Sequence, residues 1–468
     1  MDDFLREIQT SLFREWINNQ KRDYYHLHQS ETDPDAIIIE NEYCYSYVTF
    51  NPQCIIELCV MNKRTDEMAF YLHFQFKTLK HAISLFEEMD QCIKKMTDQP
   101  ICRLLLCCSG GMTTAFFADK IKNGIKVLNL NMEVAATSYQ KIYNVAQNYD
   151  VILLAPQVSY VKLQVEKVFK NKLVLKIPTQ IFASYNVGAL ITFVEESLKH
   201  KENKYNGYVE PLASMMEIKT NKNVLAVSIN ANGENSHISY RLYNSHQDIV
   251  LDSNIIKSNI KLQDVLDALD TVVLQNEMID VISIALPGVM VEGNVYSGII
   301  EGGNHQLKER LEKRYEKEIY LINDVNAAVV GYYASQNEYK SLAFLFQPIG
   351  RMAGSGIVVN GQLVRGMDHL AGEVALLPLK LSDSYLNLAN TPEGTLELVT
   401  KNIMSIIAIV SPEAIVVYSD LILDSQDVSD EIKKSLSQYS LKVYPKVIKV
   451  ENILEYILLG AMILSAKE

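Results

Sequence analysis

No cysteine follows residue 108 and only one tryptophan is present, and 12 prolines and 20 glycines are spread thinly over 468 residues. The first absence excludes disulfides and thiolate metal sites from the rest of the chain. No Pro/Gly/Ser-rich or single-residue tract is present, so no long disordered region is expected. Apolar runs stay short of the roughly 18 residues that a membrane span needs. The nearest, Tyr456 to Ala466, holds about three helical turns and reads as a buried helix. The start, Met1-Asp2-Asp3-Phe4-Leu5, lacks the basic opening and apolar core of a secretory signal, so the expected compartment is the cytoplasm, with no membrane-embedded part. Net charge is −12 and no Lys/Arg cluster stands out. Direct binding of nucleic acid is therefore disfavoured.

What is present is globular: 48% hydrophobic and 21% charged residues, over a length that suits three or four domains. All seven cysteines (44, 54, 59, 92, 102, 107 and 108) fall in the first 108 residues. Their number is odd and their spacing uneven, mostly within strand-like runs, which fits reduced thiols. Residues 1–99 open with apolar residues at helical spacing, Phe4, Ile8, Leu12 and Trp16, which places them on one face of a helix. Strand-like runs follow: Ala36 to Ile39 continuing to Phe50, Cys54 to Met61, and Met68 to Phe76, then a helix from about Leu79 to Met96. No helix-turn-helix pattern is present there.

From residue 101 to 200 the pattern alternates. Strand Cys102 to Cys107 precedes a helix from Thr113, strand Lys126 to Leu130, a helix near Tyr139 to Gln147, and strand Val151 to Leu154, as in a doubly wound sheet. The apolar strand Leu104-Leu105-Leu106-Cys107 runs into Cys108-Ser109-Gly110-Gly111-Met112-Thr113-Thr114, where a helix begins. Such a loop turns unpaired N–H groups and the positive end of a helix dipole toward Cys108, favouring thiolate and cradling a phosphoryl group. The glycines permit close backbone approach. Ser109, Thr113 and Thr114 offer further donors. A nearby arginine to clamp phosphate for hydrolysis is missing, so carrying fits better than hydrolysing. The plain alternative is that Cys108, like Cys107, is a small core residue at a strand end.

This loop resembles the active loop of the lactose/cellobiose-type enzyme IIB domains of the phosphotransferase system. Asp150-Val151-Ile152-Leu153-Leu154-Ala155-Pro156-Gln157-Val158-Ser159-Tyr160 is similar to that family's strand and Pro-Gln-Val loop. The resemblance implies that Cys108 takes phosphate from a phosphohistidine of an enzyme IIA partner, with Ser109, Gly110, Gly111, Met112, Thr113 and Thr114 around it. No enzyme IIA segment is present in the chain, so that partner is a separate protein.

Further along, Leu321-Ile322-Asn323-Asp324-Val325-Asn326-Ala327-Ala328 places an amide and a carboxylate just after an apolar strand, where open α/β sheets build ligand sites. A carboxylate there can take the proton of an attacking sugar hydroxyl. Taken alone, Asn-Asp at that position is usually a helix cap. With Leu286-Pro287-Gly288, Gly350-Arg351-Met352-Ala353-Gly354-Ser355-Gly356, Arg365-Gly366, Ala371-Gly372-Glu373 and Ser411-Pro412-Glu413-Ala414-Ile415-Val416-Val417, the segment resembles the ROK family of sugar kinases and sugar-responsive repressors. The resemblance implies a two-lobed, actin-like fold, Asp324 as base if the kinase is active, and Asn323, Asp324 and Glu373 on the sugar.

The nucleotide motifs depart from that family's pattern. Ser228 stands where its first acid belongs, within Val227-Ser228-Ile229-Asn230-Ala231-Asn232. Gly350-Arg351-Met352 replaces a Gly-Thr-Gly phosphate loop, leaving Gly350, Gly354 and Gly356 as a remnant, and Tyr418-Ser419-Asp420 replaces the adenosine-side glycines. Leu376 occupies the place of the family's zinc-binding His, so neither structural zinc nor any other metal is expected, and no cofactor is certain. Mg-ATP is expected only if the kinase half is active.

The expected class is α/β multidomain: an α+β module of unassigned role over 1–99, a doubly wound enzyme IIB-like domain over 100–200, a linker over 201–221, and an actin-like ROK domain over 222–468. The leading expectation is a phosphocarrier and regulator coupled to a sugar-sensing domain. A bifunctional enzyme with an active sugar kinase, a sugar-responsive transcriptional regulator and a relic with two empty sites are the alternatives. Expected partners are enzyme IIA, a sugar or sugar phosphate, and a second copy of the chain as a homodimer.

Overall fold

The computed structural model describes residues 3–63, 67–98, 102–110, 112–128, 130–169, 172–199, 220–232, 235–291, 294–296, 300–301, 307–367, 370–437 and 444–467. Helix α1 (Asp3–Asn18) leads into antiparallel strands β1 (His26–Gln29), β2 (Ala36–Glu40), β3 (Cys44–Asn51), β4 (Ile55–Asn62) and β5 (Glu67–Gln75), closed by α2 (Leu79–Thr97). The run from Ala36 to Phe50 is two strands, because Asn41 Oδ1 accepts from the N–H groups of Tyr43 and Cys44 and turns the chain. The α1 helix is as expected, and the side it buries is not the one that carries Phe4, Ile8 and Leu12. Phe13 and Ile17 are buried, whereas Phe4, Ile8 and Leu12 are 65%, 42% and 54% exposed. The helix is apolar on two sides, and spacing alone does not choose between them. Phe13 decides it by stacking on Trp16 and meeting Phe86 edge-on.

Residues 3–98 do not stand apart. Their sheet continues into β12 (Ile249–Lys257), β11 (Asn235–Tyr243), β10 (Val224–Asn232), β14 (Val281–Leu286) and β18 (Glu318–Asn323), ten strands in the order β1-β2-β3-β4-β5-β12-β11-β10-β14-β18. One hydrophobic core runs from Phe13 through Phe76 and Phe86 to Ile284 and Ile319. Polar contacts hold the seam. Tyr71 faces Ile256 across it, the Gln75 N–H donates to Thr271 Oγ1 at 3.0 Å, and Lys77 bridges Asp267 and Asp270 on α8 (Leu262–Gln275). Lys257, nearly inaccessible, lies between Asp264 and Glu88. A buried lysine is tolerable only because two carboxylates surround it.

The next domain is a four-stranded parallel sheet in the order β7-β6-β8-β9, from β6 (Cys102–Cys108), β7 (Met132–Ser138), β8 (Val151–Leu154) and β9 (Leu173–Lys176). It is covered by α3 (Met112–Val127), α4 (Ile142–Val145), α5 (Lys162–Val168), α6 (Thr179–Ser184) and α7 (Val187–Lys199). The second strand is not at Lys126 to Leu130. Helix α3 continues to Val127, which with Leu128 is exposed, and the strand follows at Met132. So short an apolar run has no period to tell helix end from strand. The expected linker lies outside the described residues over 201–219.

The lobe that begins with β10 also contains β13 (Ile260–Lys261), β15 (Val289–Val291), β16 (Asn294–Tyr296), β17 (Ile300–Glu301) and α9 (Leu307–Tyr315). Helix α10 (Asp324–Ala334) then leads to a second lobe with β19 (Leu342–Phe346), β20 (Gly354–Val359), β21 (Gln362–Leu363), α11 (Tyr385–Leu388), α12 (Pro392–Ile409), β22 (Ala414–Tyr418), α13 (Ser425–Ser437), β23 (Lys446–Lys449) and α14 (Leu454–Lys467). Its sheet order is β21-β20-β19-β22-β23. A core built on α10 and α14 joins β10 and β14 of one lobe to β19, β20 and β22 of the other. The two helices cross at glycines. A Cβ on Gly331 would lie 1.9 Å from the Tyr456 carbonyl, and one on Gly460 1.8 Å from that of Ala327. The architecture is the α/β multidomain one expected, with two lobes around paired helices. Among the described residues no helix is long and apolar enough to cross a membrane.

Candidate functional site

Cys108 is the last residue of β6, paired in register with Ser138 of β7. Its Sγ accepts the Gly110 N–H at 3.2 Å. Gly110 has φ +119°, a conformation side chains rarely adopt, so the turn that aims this donor at sulfur requires glycine. Helix α3 opens at Met112, and its N-terminal dipole favours negative charge in the turn. Cys108 is 6% exposed and Ser109 is exposed. Gly111 and the side chains of Met112, Thr113 and Thr114 lie outside the described residues. Cys107 is fully buried in the strand. Burial, with the neighbouring Cys108, pushes its thiol up to about 12, so it stays protonated. The turn beginning at Pro156 follows β8, beside β6, with Val158 buried and Gln157 and Tyr160 exposed.

In the C-terminal half, β18 ends at Asn323 and α10 begins at Asp324. Asn323 caps the helix: its Oδ1 accepts from the N–H groups of Val325 and Asn326 at 3.1 and 3.0 Å, and its Nδ2 donates to the Gly288 carbonyl at 3.2 Å. Its polar atoms thus hold the turn in place. The Asp324 carboxylate is buried, accepts the Val325 N–H at 2.9 Å, and is pushed up to about 6 by desolvation against that backbone donor, with the negative charge of Glu373 adding to the rise. Burial raises the Glu373 carboxyl as well. Two carboxyls with raised proton affinity, one at a strand end, make a pair able to accept a hydroxyl proton and hydrogen-bond a polyol.

The glycine-rich segment has mostly a packing role. A Cβ at Gly356 would lie 2.5 Å from the Val325 carbonyl and one at Gly354 3.1 Å from the Val325 side chain, so both let β20 approach the start of α10. Gly350 has φ +64° and donates to the Ala389 carbonyl at 2.9 Å. The buried Gln347 side chain holds the Arg351 carbonyl at 2.9 Å. Met352 and Leu376 are 46% and 76% exposed. Ser228 is buried in β10. Among the described residues no group of three or more His, Cys, Asp or Glu is placed to hold a metal.

Sequence reasoning missed how the two halves meet. Tyr139, immediately after Ser138, donates to Glu393 at the start of α12 at 3.0 Å. Leu421 enters the core of the Cys108 domain and Ile349 packs against it. No motif marks these residues, because the contact is between segments more than two hundred residues apart.

Comparison with known proteins agrees with both halves. Residues 103–192 match the family model of the phosphotransferase-system lactose/cellobiose-specific IIB subunit, and residues 233–384 match that of the ROK family. The chain therefore carries a IIB domain of the lactose/cellobiose type ahead of a ROK-family domain. No curated protein matches it. Similar solved structures include a ROK family protein from Streptococcus pneumoniae in complex with sucrose (18% identity, TM-score 0.43, covering 52% of this chain and 97% of that one). Another is a putative N-acetylmannosamine kinase from Listeria monocytogenes (17%, 0.42, 53% and 100%). A third is a ROK family glucokinase from Streptomyces griseus with glucose and AMPPNP (16%, 0.40, 52% and 98%).

Proposed function

We propose that the protein accepts a phosphoryl group on Cys108 from the phosphohistidine of an enzyme IIA, and that its ROK half senses a cytoplasmic sugar or sugar phosphate without turning over ATP. The observation that carries the first part is the turn after β6, where the Gly110 N–H points at Cys108 Sγ and a helix begins behind it. In the transfer the histidine N–P bond breaks as the S–P bond forms, and the proton of the Cys108 thiol ends on the departing ring, so the imidazole leaves as the neutral base. Backbone N–H groups and the helix N-terminus take up the added negative charge.

The second part rests on fit. Ile349 precedes the Gly350 loop and Leu421 follows Asp420, and both pack against the IIB core. The chain just before the loop that would face phosphates, and just after the segment that would face adenosine, thus abuts protein, and the exposed Met352 stands in the loop where a phosphate needs a small residue. These residues do not fit Mg-ATP. Asp324 and Glu373 keep the carboxyl pair that suits a sugar. Charge arriving at Cys108 lies one residue in register from Tyr139 and its bond to Glu393, which supports a link between the two halves.

The test is phosphate transfer from phosphoenolpyruvate through enzyme I, the small phosphocarrier and an enzyme IIA, followed by intact mass. One added phosphoryl group on the full chain and none on Cys108→Ser is the expected result. No label, with an enzyme IIA competent on another IIB, refutes the reading.

A further inference from the structure

A cavity of about 490 Å³ lies where the IIB domain meets the second ROK lobe, and neither Cys108 nor Asp324 lines it. Gln147 and Lys167 line it from the IIB side, and Tyr418, Ser419 and Asp420 from the ROK side. Its size is that of a small-molecule site, and such sites concentrate at domain junctions. One atom in it is unexplained. Ser419, in the wall, is 2% exposed, yet its Oγ has no hydrogen-bond partner among the described residues. An orphaned buried hydroxyl costs about 1–3 kcal/mol, and native proteins rarely leave one without a reason.

We propose that this junction is a second binding site, taking a phosphorylated sugar that bridges the two domains. The lining dictates the class. Lys167 and Lys172 bring positive charge from the IIB side for a phosphate, while Lys449, paired with Glu451 at 2.6 Å, and the carboxylates of Glu451 and Glu67 line the rest. Ser419, Gln147 and the carboxylate of Asp420 offer the mixture of donors and acceptors that ring hydroxyls need. An apolar ligand finds little here to bury against, since Val168, Phe169 and Leu423 are the aliphatic and phenyl side chains among the lining residues. Because the walls come from two domains, the ligand binds the docked arrangement and stabilises it, and docking in turn raises affinity by the same factor. The choice of a sugar phosphate rests on the proposed phosphotransferase role; the existence of the site does not.

The experiment is calorimetric titration of the full chain with glucose 6-phosphate, galactose 6-phosphate and cellobiose 6-phosphate, against the parent sugars, inorganic phosphate and ATP. Expected is binding of at least one phosphosugar about tenfold or more tighter than its parent sugar, weakened about tenfold by Lys167→Ala and about three- to tenfold by Ser419→Ala. Ser419→Ala does not lower the melting temperature of the free protein, since it removes an unpaired hydroxyl. No binding by any phosphosugar, equal binding of ATP, or binding lost in Asp324→Asn and kept in Ser419→Ala overturns the proposal. The last outcome would place the ligand in the Asp324 cleft and leave the sensing role standing, and labelling of Cys108 is read independently of all of them.

Discussion

Replacing Asp324 by asparagine should make the protein more stable at neutral pH. The carboxyl is raised from its ordinary 3.8 to about 6 by burial, so the folded state holds its proton where the unfolded chain has lost it. Stability contributed by this group is therefore present below about pH 4 and is lost as pH rises through 6. Above pH 6 the full cost applies, about 3 kcal/mol at about 1.4 kcal/mol per pH unit between the two values. Asparagine keeps an oxygen for the Val325 N–H and carries no charge, so Asp324→Asn should gain about 2–3 kcal/mol at pH 7.5 and nothing at pH 4. His73 acts in the opposite direction over nearly the same range. Burial lowers it to about 4, so the folded state resists protonation and loses stability as pH falls from about 6.5 toward 4. The difference between variant and wild type, and not the wild-type curve, isolates Asp324. Urea unfolding followed by Trp16, which packs against the core shared by α1 and the first ROK lobe, reads it. A variant less stable than wild type at pH 7.5, or a difference that does not change between pH 4 and 7, would refute the reasoning.

Gly460→Ala puts a methyl 1.8 Å from the Ala327 carbonyl and should cost about 3 kcal/mol or more, seen as a large fall in melting temperature, whereas alanine at Gly188, where the nearest atom is 3.8 Å away, should cost little. Arg241, buried in β11, donates to Glu455 of α14 at 2.8 and 3.0 Å, so Glu455→Gln should cost about 3–5 kcal/mol and Arg241→Met with Glu455→Leu much less, by thermal unfolding of single and double variants. Tyr139→Phe removes the bond to Glu393 and should loosen the IIB domain from the second lobe, speeding amide hydrogen exchange around Ile349 and Leu421 without reducing phosphorylation of Cys108. Cys107, held protonated by burial, should resist iodoacetamide at pH 8 in the folded protein and react after denaturation, followed by peptide mass.

Elements carried by local chemistry were legible in the sequence. A strand, a turn with glycine and a helix start follow from the residues around Cys108, and Gly110 at φ +119° is the conformation such a loop demands. The final apolar helix is α14, buried between the lobes. Asn323-Asp324 reads equally as a helix cap and as a ligand pair, and the structure divides the roles, with Asn323 capping and Asp324 presenting a buried carboxyl. Where two periods were both possible, as at Lys126 to Leu130, sequence alone chose the wrong one, and in α1 spacing alone did not say which side is buried.

The sequence by itself determined two local features, a thiol at a glycine turn that opens a helix and a carboxyl just after a strand end, because each is set by residues within one loop or one motif. Only the tertiary structure decided that residues 3–98 extend the first ROK lobe as one sheet, that Ile349 and Leu421 are covered by the IIB domain, and that Ser419 is left without a partner among the described residues beside a cavity. Each of those depends on segments far apart in the chain, brought together by burial of apolar surface, which no local pattern records.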